Sequence, residues 1–144
     1  MWSFEHTETT SATPTQLWAR YVDPTTWPEW DQDTARVTVE SPMAAGVEGT
    51  LKPTKGPATK FVFTEVTPEV AFTNVSRLPL ARLALTHRIE SGVAGCRFTH
   101  RVTITGPLSP LFAQLVGKGI AAGLPSAMRT LARLAESAAA KTDR

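Results

Sequence analysis

Two histidines in the second half of the chain hold its sharpest chemical possibility. Along ARLALTHRIE, Leu83, Leu85, His87 and Ile89 alternate with Ala84, Thr86, Arg88 and Glu90, which places His87 on the apolar face of a strand. Along CRFTHRVTIT, Phe98, His100, Val102 and Ile104 share a face opposite Arg97, Arg101 and Thr103. A hairpin closed by residues 92–95 sets Glu90 opposite Arg97 and His87 opposite His100, so both imidazoles point inward. Inward imidazoles can be half-buried, each hydrogen-bonded to a neighbour or to water. They can also contact the polar end of a ligand or move a proton on it, since their ordinary pKa lies near neutrality. His87 and His100 are therefore the candidates for any catalysis.

Other inward positions suit the wall of a cavity. Phe61 and Phe63 share one strand face, while Phe72, Asn74 and Ser76 share a face of the next. With Leu85, His87, Phe98 and His100 they make up the expected ligand-contacting set. Core packing competes for the phenylalanines. Asn74 and Ser76 are more informative, because buried polar groups must find partners. The stretch WPEWD sets Trp27 and Trp30 around Pro28; it offers large rings and a fixed turn, suited to a clasp, and no base beside a nucleophile. Asp31 is expected to end a helix or pair with an arginine. Cys96 falls on an inward face with no evident activating neighbour and reads as an inert thiol. There is no P-loop, no GxGxxG opening a helix, no GxSxG elbow and no HExxH, and no cofactor is expected.

The elements that must position these groups follow from local pattern. WSFEHTETT alternates and is rich in threonine, predicting a strand over residues 2–10 with Trp2, Phe4 and His6 on one face. Thr13, Pro14 and Gln16 form a helix start with a capping box, and Leu17, Trp18 and Tyr21 fall on or near one face of that helix. Asp23 and Pro24 repeat the start signal, predicting a second short helix over 24–30. From 34 to 105 six strands separated by glycine, proline or short polar turns read as an antiparallel meander. Leu111, Leu115, Leu124, Met128, Leu131 and Leu134 then recur at helical spacing, predicting a long amphipathic helix that Pro125 should kink. Leu131 and Leu134 should rest on Leu17, Trp18, Tyr21 and the tryptophans. Turns of a meander alternate between its ends, so 53–57, 78–80 and 106–110 should gather at one end. There Leu78, Leu80 and Leu108 would rim a cavity entrance or simply pack together.

Composition bounds the function. At 144 residues with net charge +2, the chain suits one domain over 1–144, with 137–144 expected to fray. Scattered basic residues argue against nucleic acid as a partner. One cysteine excludes an internal disulfide, and no apolar stretch approaches the roughly 20 residues of a bilayer span. A cytoplasmic protein without stable membrane insertion is expected.

The order strand, two short helices, six strands, long helix, together with WPEWD, THR at 86–88, THRV at 99–102, GPL at 106–108 and LPSAM at 124–128, resembles one family. It is similar to the polyketide cyclase/dehydrase-like branch of the START or SRPBCC superfamily. The resemblance implies an α+β helix-grip fold: a curved seven-stranded antiparallel sheet gripping the C-terminal helix, with an apolar cavity between them. It also implies that the first strand lies beside the last. His6 would then approach His87 and His100, and three converging imidazoles could bind zinc with one position open. The leading expectation is binding of a small hydrophobic or aromatic molecule, such as a lipid, polyketide or quinone. The alternatives are a cyclase or dehydratase using an inward histidine, and a protein-interaction module using the apolar rim.

Overall fold

In the computed structural model the backbone is described for residues 1–142 and the side chains for 1–137. Of the tail expected to fray, 137–144, the backbone continues the last helix as far as Thr142, and 143–144 lie outside the described residues. Seven antiparallel strands, β1 (Trp2–Thr10), β2 (Thr34–Val39), β3 (Glu48–Pro53), β4 (Thr59–Thr67), β5 (Ala71–Leu78), β6 (Ala81–Gly92) and β7 (Gly95–Thr105), form one sheet. Its order is β1-β7-β6-β5-β4-β3-β2, so the chain's first strand closes against its last. Between β1 and β2 come helix α1 (Pro14–Tyr21) and a 3-10 helix, Pro24–Glu29. After β7 the chain runs through α2 (Ser109–Phe112), a π-helical turn (Ala113–Gly117) and α3 (Lys118–Thr142), which packs on β1 and α1.

Local chemistry explains the starts and turns. Thr13 and Gln16 form the capping box: Gln16 N–H donates to Thr13 Oγ1 at 3.2 Å and Thr13 N–H to Gln16 Oε1 at 2.9 Å. The second short helix is 3-10 rather than α, capped by the Asp23 carboxylate and carrying Pro28 inside it. Proline lacks an N–H, and a tight three-residue turn tolerates that loss better than a sustained α-helix. The β6–β7 hairpin pairs Gly92 with Gly95 and His87 with His100, and joins Glu90 to Arg97 at 2.7 Å. Gly95 has φ +133°, where a side chain would also strike the Thr10 carbonyl.

The last helix departs from the expected face. Leu111 and Leu115 are exposed, at 47% and 67%, while Phe112, Val116, Ile120 and Leu124 pack toward the sheet. Nine residues set Leu115 on the opposite side of a regular helix from Leu124, and the extra residue of the π turn brings Phe112 round to the Leu124 face. It falls where Gly117 lies so close to Trp2 that a Cβ there would be 2.6 Å from the indole.

Candidate functional site

The interior divides into two adjoining apolar clusters that share Leu124. The larger is aromatic and holds both inward histidines. The helical turns of α1 aim Tyr21 at the sheet, where its hydroxyl lies 2.7 Å from His100 Nε2. His87 stacks on Phe72 with ring centroids 3.9 Å apart and planes 7° from parallel, and its Nδ1–H donates to the Phe72 carbonyl at 3.4 Å. The two imidazoles meet edge to face at 4.5 Å. From the WPEWD segment, Trp27 lies over Phe72 and Phe61 and donates from Nε1 to the Tyr21 carbonyl at 3.0 Å, while Trp30 sits beside Tyr21 and His100. Both tryptophans are buried. Leu17, Trp18 and Leu131 belong to the same cluster, with Leu134 partly buried against it. Among the described residues Asp31 meets no arginine; it accepts from Asp33 N–H and from Thr34 Oγ1, fixing the turn into β2.

Burial sets the charge state of this cluster. Removal from water pushes the His87 pKa down to about 3, against a small opposing effect of the Phe72 carbonyl. Burial likewise holds His100 well below the ordinary imidazole range, reinforced by His87 and His6. Tyr21 is pushed well above 10, first by burial and then by Cys96, whose own thiol is raised by burial. At neutral pH the site is therefore two neutral imidazoles and a phenol. Each histidine already has a hydrogen-bond partner, and neither is poised to exchange a proton near pH 7.

His6 does pair in register with His100 across β1 and β7, but its Nε2 turns to Glu8 Oε1 at 2.9 Å. Among the described residues, no group of three His, Cys, Asp or Glu side chains is arranged to hold a metal ion. The zinc triad is therefore not assembled: Tyr21 engages His100, Phe72 engages His87, and Glu8 engages His6.

The smaller cluster lies nearer the start of α3. Leu83, Val102 and Ile104 are buried, and Trp2, Leu78, Ala81, Leu85, Phe112, Val116, Ile120 and Leu124 are only partly buried around them. On its flank, β5 contributes Asn74, paired with Leu85, and Ser76, paired with Leu83. Both polar side chains are buried, and Asn74 Oδ1 has no hydrogen-bond partner among the described residues. Trp30 Nε1 in the larger cluster is in the same condition. An unpaired buried acceptor costs about 1–3 kcal/mol, so Asn74 is a strained choice for a purely structural position.

The expected open chamber is filled. Phe61, Phe63, Phe72, Phe98, His87 and His100 are buried together under rings from α1 and the 3-10 helix. Two clefts lie elsewhere, one of about 270 Å3 lined in part by Thr38, Thr50 and Lys60 on β2–β4, the other of about 200 Å3 at the β6–β7 hairpin. The expected rim is partly assembled: Leu108 N–H donates to the Leu80 carbonyl at 3.0 Å, bringing the 78–80 and 106–110 turns together. The 53–57 turn is anchored separately, by Thr54 N–H to the Asp33 carbonyl at 2.9 Å. Sequence reasoning missed Tyr21 as the partner of His100, and missed Trp2, Phe112, Val116 and Ile120 as a second cluster. Gly117 was the available signal for that cluster, since it admits Trp2.

A curved antiparallel sheet closed around a long C-terminal helix defines a helix-grip protein. The chain belongs to the family described as polyketide cyclase / dehydrase and lipid transport, whose model matches residues 1–136. Its fold is similar to that of a Mesorhizobium loti protein, with TM-score 0.74 and 17% identity over 94% of this chain and 98% of that one. It is similar also to Ara h 8.0201, with TM-score 0.73 and 10% identity over 94% and 98%. The di-domain ARO/CYC StfQ from the steffimycin biosynthetic pathway matches with TM-score 0.77 and 18% identity over 96% of this chain and 51% of that one. The chain thus spans about half of StfQ. No curated protein matches by sequence.

Proposed function

We propose that the protein binds a small hydrophobic or aromatic molecule between its sheet and C-terminal helix, at the smaller cluster rather than at the histidines. One observation carries this reading: a buried, unpaired Asn74 carbonyl beside an apolar cluster whose buried centre, Leu83, Val102 and Ile104, is surrounded by side chains that are only partly buried. A ligand entering there would separate Leu85 from Ile120 and Leu124, bury its apolar surface at about 25 cal/mol per Å2, and give Asn74 a donor. Ligand sites characteristically combine an apolar wall with a few such polar groups. The larger cluster then acts as the rigid floor, with Tyr21 bonded to His100 and His87 to the Phe72 carbonyl.

The family's description, polyketide cyclase / dehydrase and lipid transport, supports either a carried lipid or a polycyclic aromatic ligand. A proton-moving role for His87 or His100 gains nothing from the geometry, because both are neutral and engaged. The test is titration with a fatty acid and with a polycyclic aromatic probe, comparing wild type with Leu85→Phe. Filling the smaller cluster should weaken binding by about ten-fold or more while a cooperative melt is retained. Unchanged affinity in the folded variant would place the ligand elsewhere.

A further inference from the structure

Acidic side chains are concentrated at one end of the sheet, where Arg88 and Arg97 pair with Glu65 and Glu90, while the other end carries unpaired cations and exposed leucines. Glu40, Glu48, Glu65, Glu69 and Glu90 all lie toward the end formed by the β2–β3, β4–β5 and β6–β7 connections. At the opposite end stand Lys55, Arg77, Arg82 and Lys118, all exposed, and none forms an ion pair among the described residues. Two acids stand at that end as well: Asp31 is half-buried and Asp33 is exposed. Asp31 bonds Thr34 and the Asp33 backbone, and the Asp33 carboxylate abuts Gly123 of α3.

Among these cations three large apolar side chains face solvent. Leu80 is 68% exposed at the tip of the β5–β6 turn, and Leu111 and Leu115 face away from the sheet at 47% and 67%. The Leu80 backbone has φ +51°, a left-handed conformation that a leucine adopts only against steric resistance. The turn carrying it is bonded to the 106–110 segment through Leu108, next to α2. Exposed leucines with unpaired cations beside them in the chain have the composition of a surface that sits at a lipid interface, with apolar groups entering the acyl boundary and cations meeting anionic headgroups.

We infer that this end of the protein, presenting Leu80 between Arg77 and Arg82 and Leu111 and Leu115 beside Lys118, docks reversibly on anionic lipid bilayers. No helix among the described residues is long and apolar enough to cross a membrane, so the contact is peripheral. Docking would set the smaller cluster, which lies directly under α2 and the π turn, against the source of an apolar ligand.

Vesicle co-sedimentation tests this without any ligand, so its failure is distinct from failure of the binding proposal. The full chain should sediment with phosphatidylcholine vesicles containing phosphatidylserine, and binding should weaken as salt rises. The triple variant Leu80→Ser, Leu111→Ser, Leu115→Ser should lose at least about ten-fold in vesicle affinity with its melting temperature kept, because the three side chains are already exposed. Arg77→Glu with Arg82→Glu should lose a comparable factor. No sedimentation of wild type with anionic vesicles would overturn the inference. So would full binding by the triple serine variant, which would mark a purely electrostatic surface suited to an acidic protein partner.

Discussion

Tyr21 Oη lies 2.7 Å from His100 Nε2, and this bond ties the last turn of α1 to the middle of β7. Both groups are buried, so removing either leaves the other unpaired away from water. Tyr21→Phe should destabilise the fold by about 1–3 kcal/mol. A double-mutant cycle with His100→Leu should recover part of that loss as coupling, since the double variant leaves no orphan. Strictly additive melting data would mean that the bond contributes nothing.

The two depressed imidazoles make stability depend on pH. His87 titrates at about 3 when folded, against an ordinary value near 6.5, and His100 is shifted the same way. Below about 6.5 the unfolded chain therefore binds more protons than the native one, and stability falls on acidification by up to about 1.4 kcal/mol per pH unit for each imidazole. For His87 that loss continues to about 3. Asp31, raised by burial, acts in the opposite sense when the pH reaches the carboxylate range. Thermal melts between about pH 7.5 and 5.5 should show a falling midpoint, with a shallower slope in His87→Phe. A flat profile would contradict the buried, neutral assignment.

Trp27 joins the 3-10 helix to β4 and β5 through Phe61, Phe63 and Phe72 and bonds the Tyr21 carbonyl. Trp27→Ala should cost about 3–5 kcal/mol and lower the melting temperature by many degrees. An unchanged midpoint with ligand binding abolished would instead make WPEWD part of the binding site.

Asn74 separates stability from function. With Oδ1 unpaired, Asn74→Leu should leave stability unchanged or raise it by about 1 kcal/mol, because an apolar side chain of similar size replaces an unsatisfied acceptor. The same change should weaken an added polar-headed apolar ligand by about ten-fold. A strongly destabilised variant would show that Asn74 serves the fold.

Much of the fold was legible because alternation, capping and turn chemistry agree along the chain. The period of two placed His87 and His100 on inward faces, and two hairpin glycines were enough to set them opposite each other. Thr13 and Gln16 marked the start of α1 to the residue. The final helix was harder: nine residues separate Leu115 from Leu124, which sets them on opposite sides of a regular helix, and leucine spacing cannot reveal the π turn that brings Phe112 onto the core face. The site was less legible still. Whether inward rings line an open chamber or fill it depends on how far α1 and the 3-10 helix descend, a distance between elements remote in sequence. Tyr21, four positions after Leu17 on the same helical face, gave no local sign that its hydroxyl would reach β7.

The most direct test of the central claim is native mass spectrometry of the freshly purified protein before and after denaturation, then after incubation with a fatty acid and with a polycyclic aromatic probe. The account predicts an organic mass, either retained from the cell or acquired from a probe, held at one per chain and reduced in Leu85→Phe. A chain that emerges bare and takes up neither probe would contradict it.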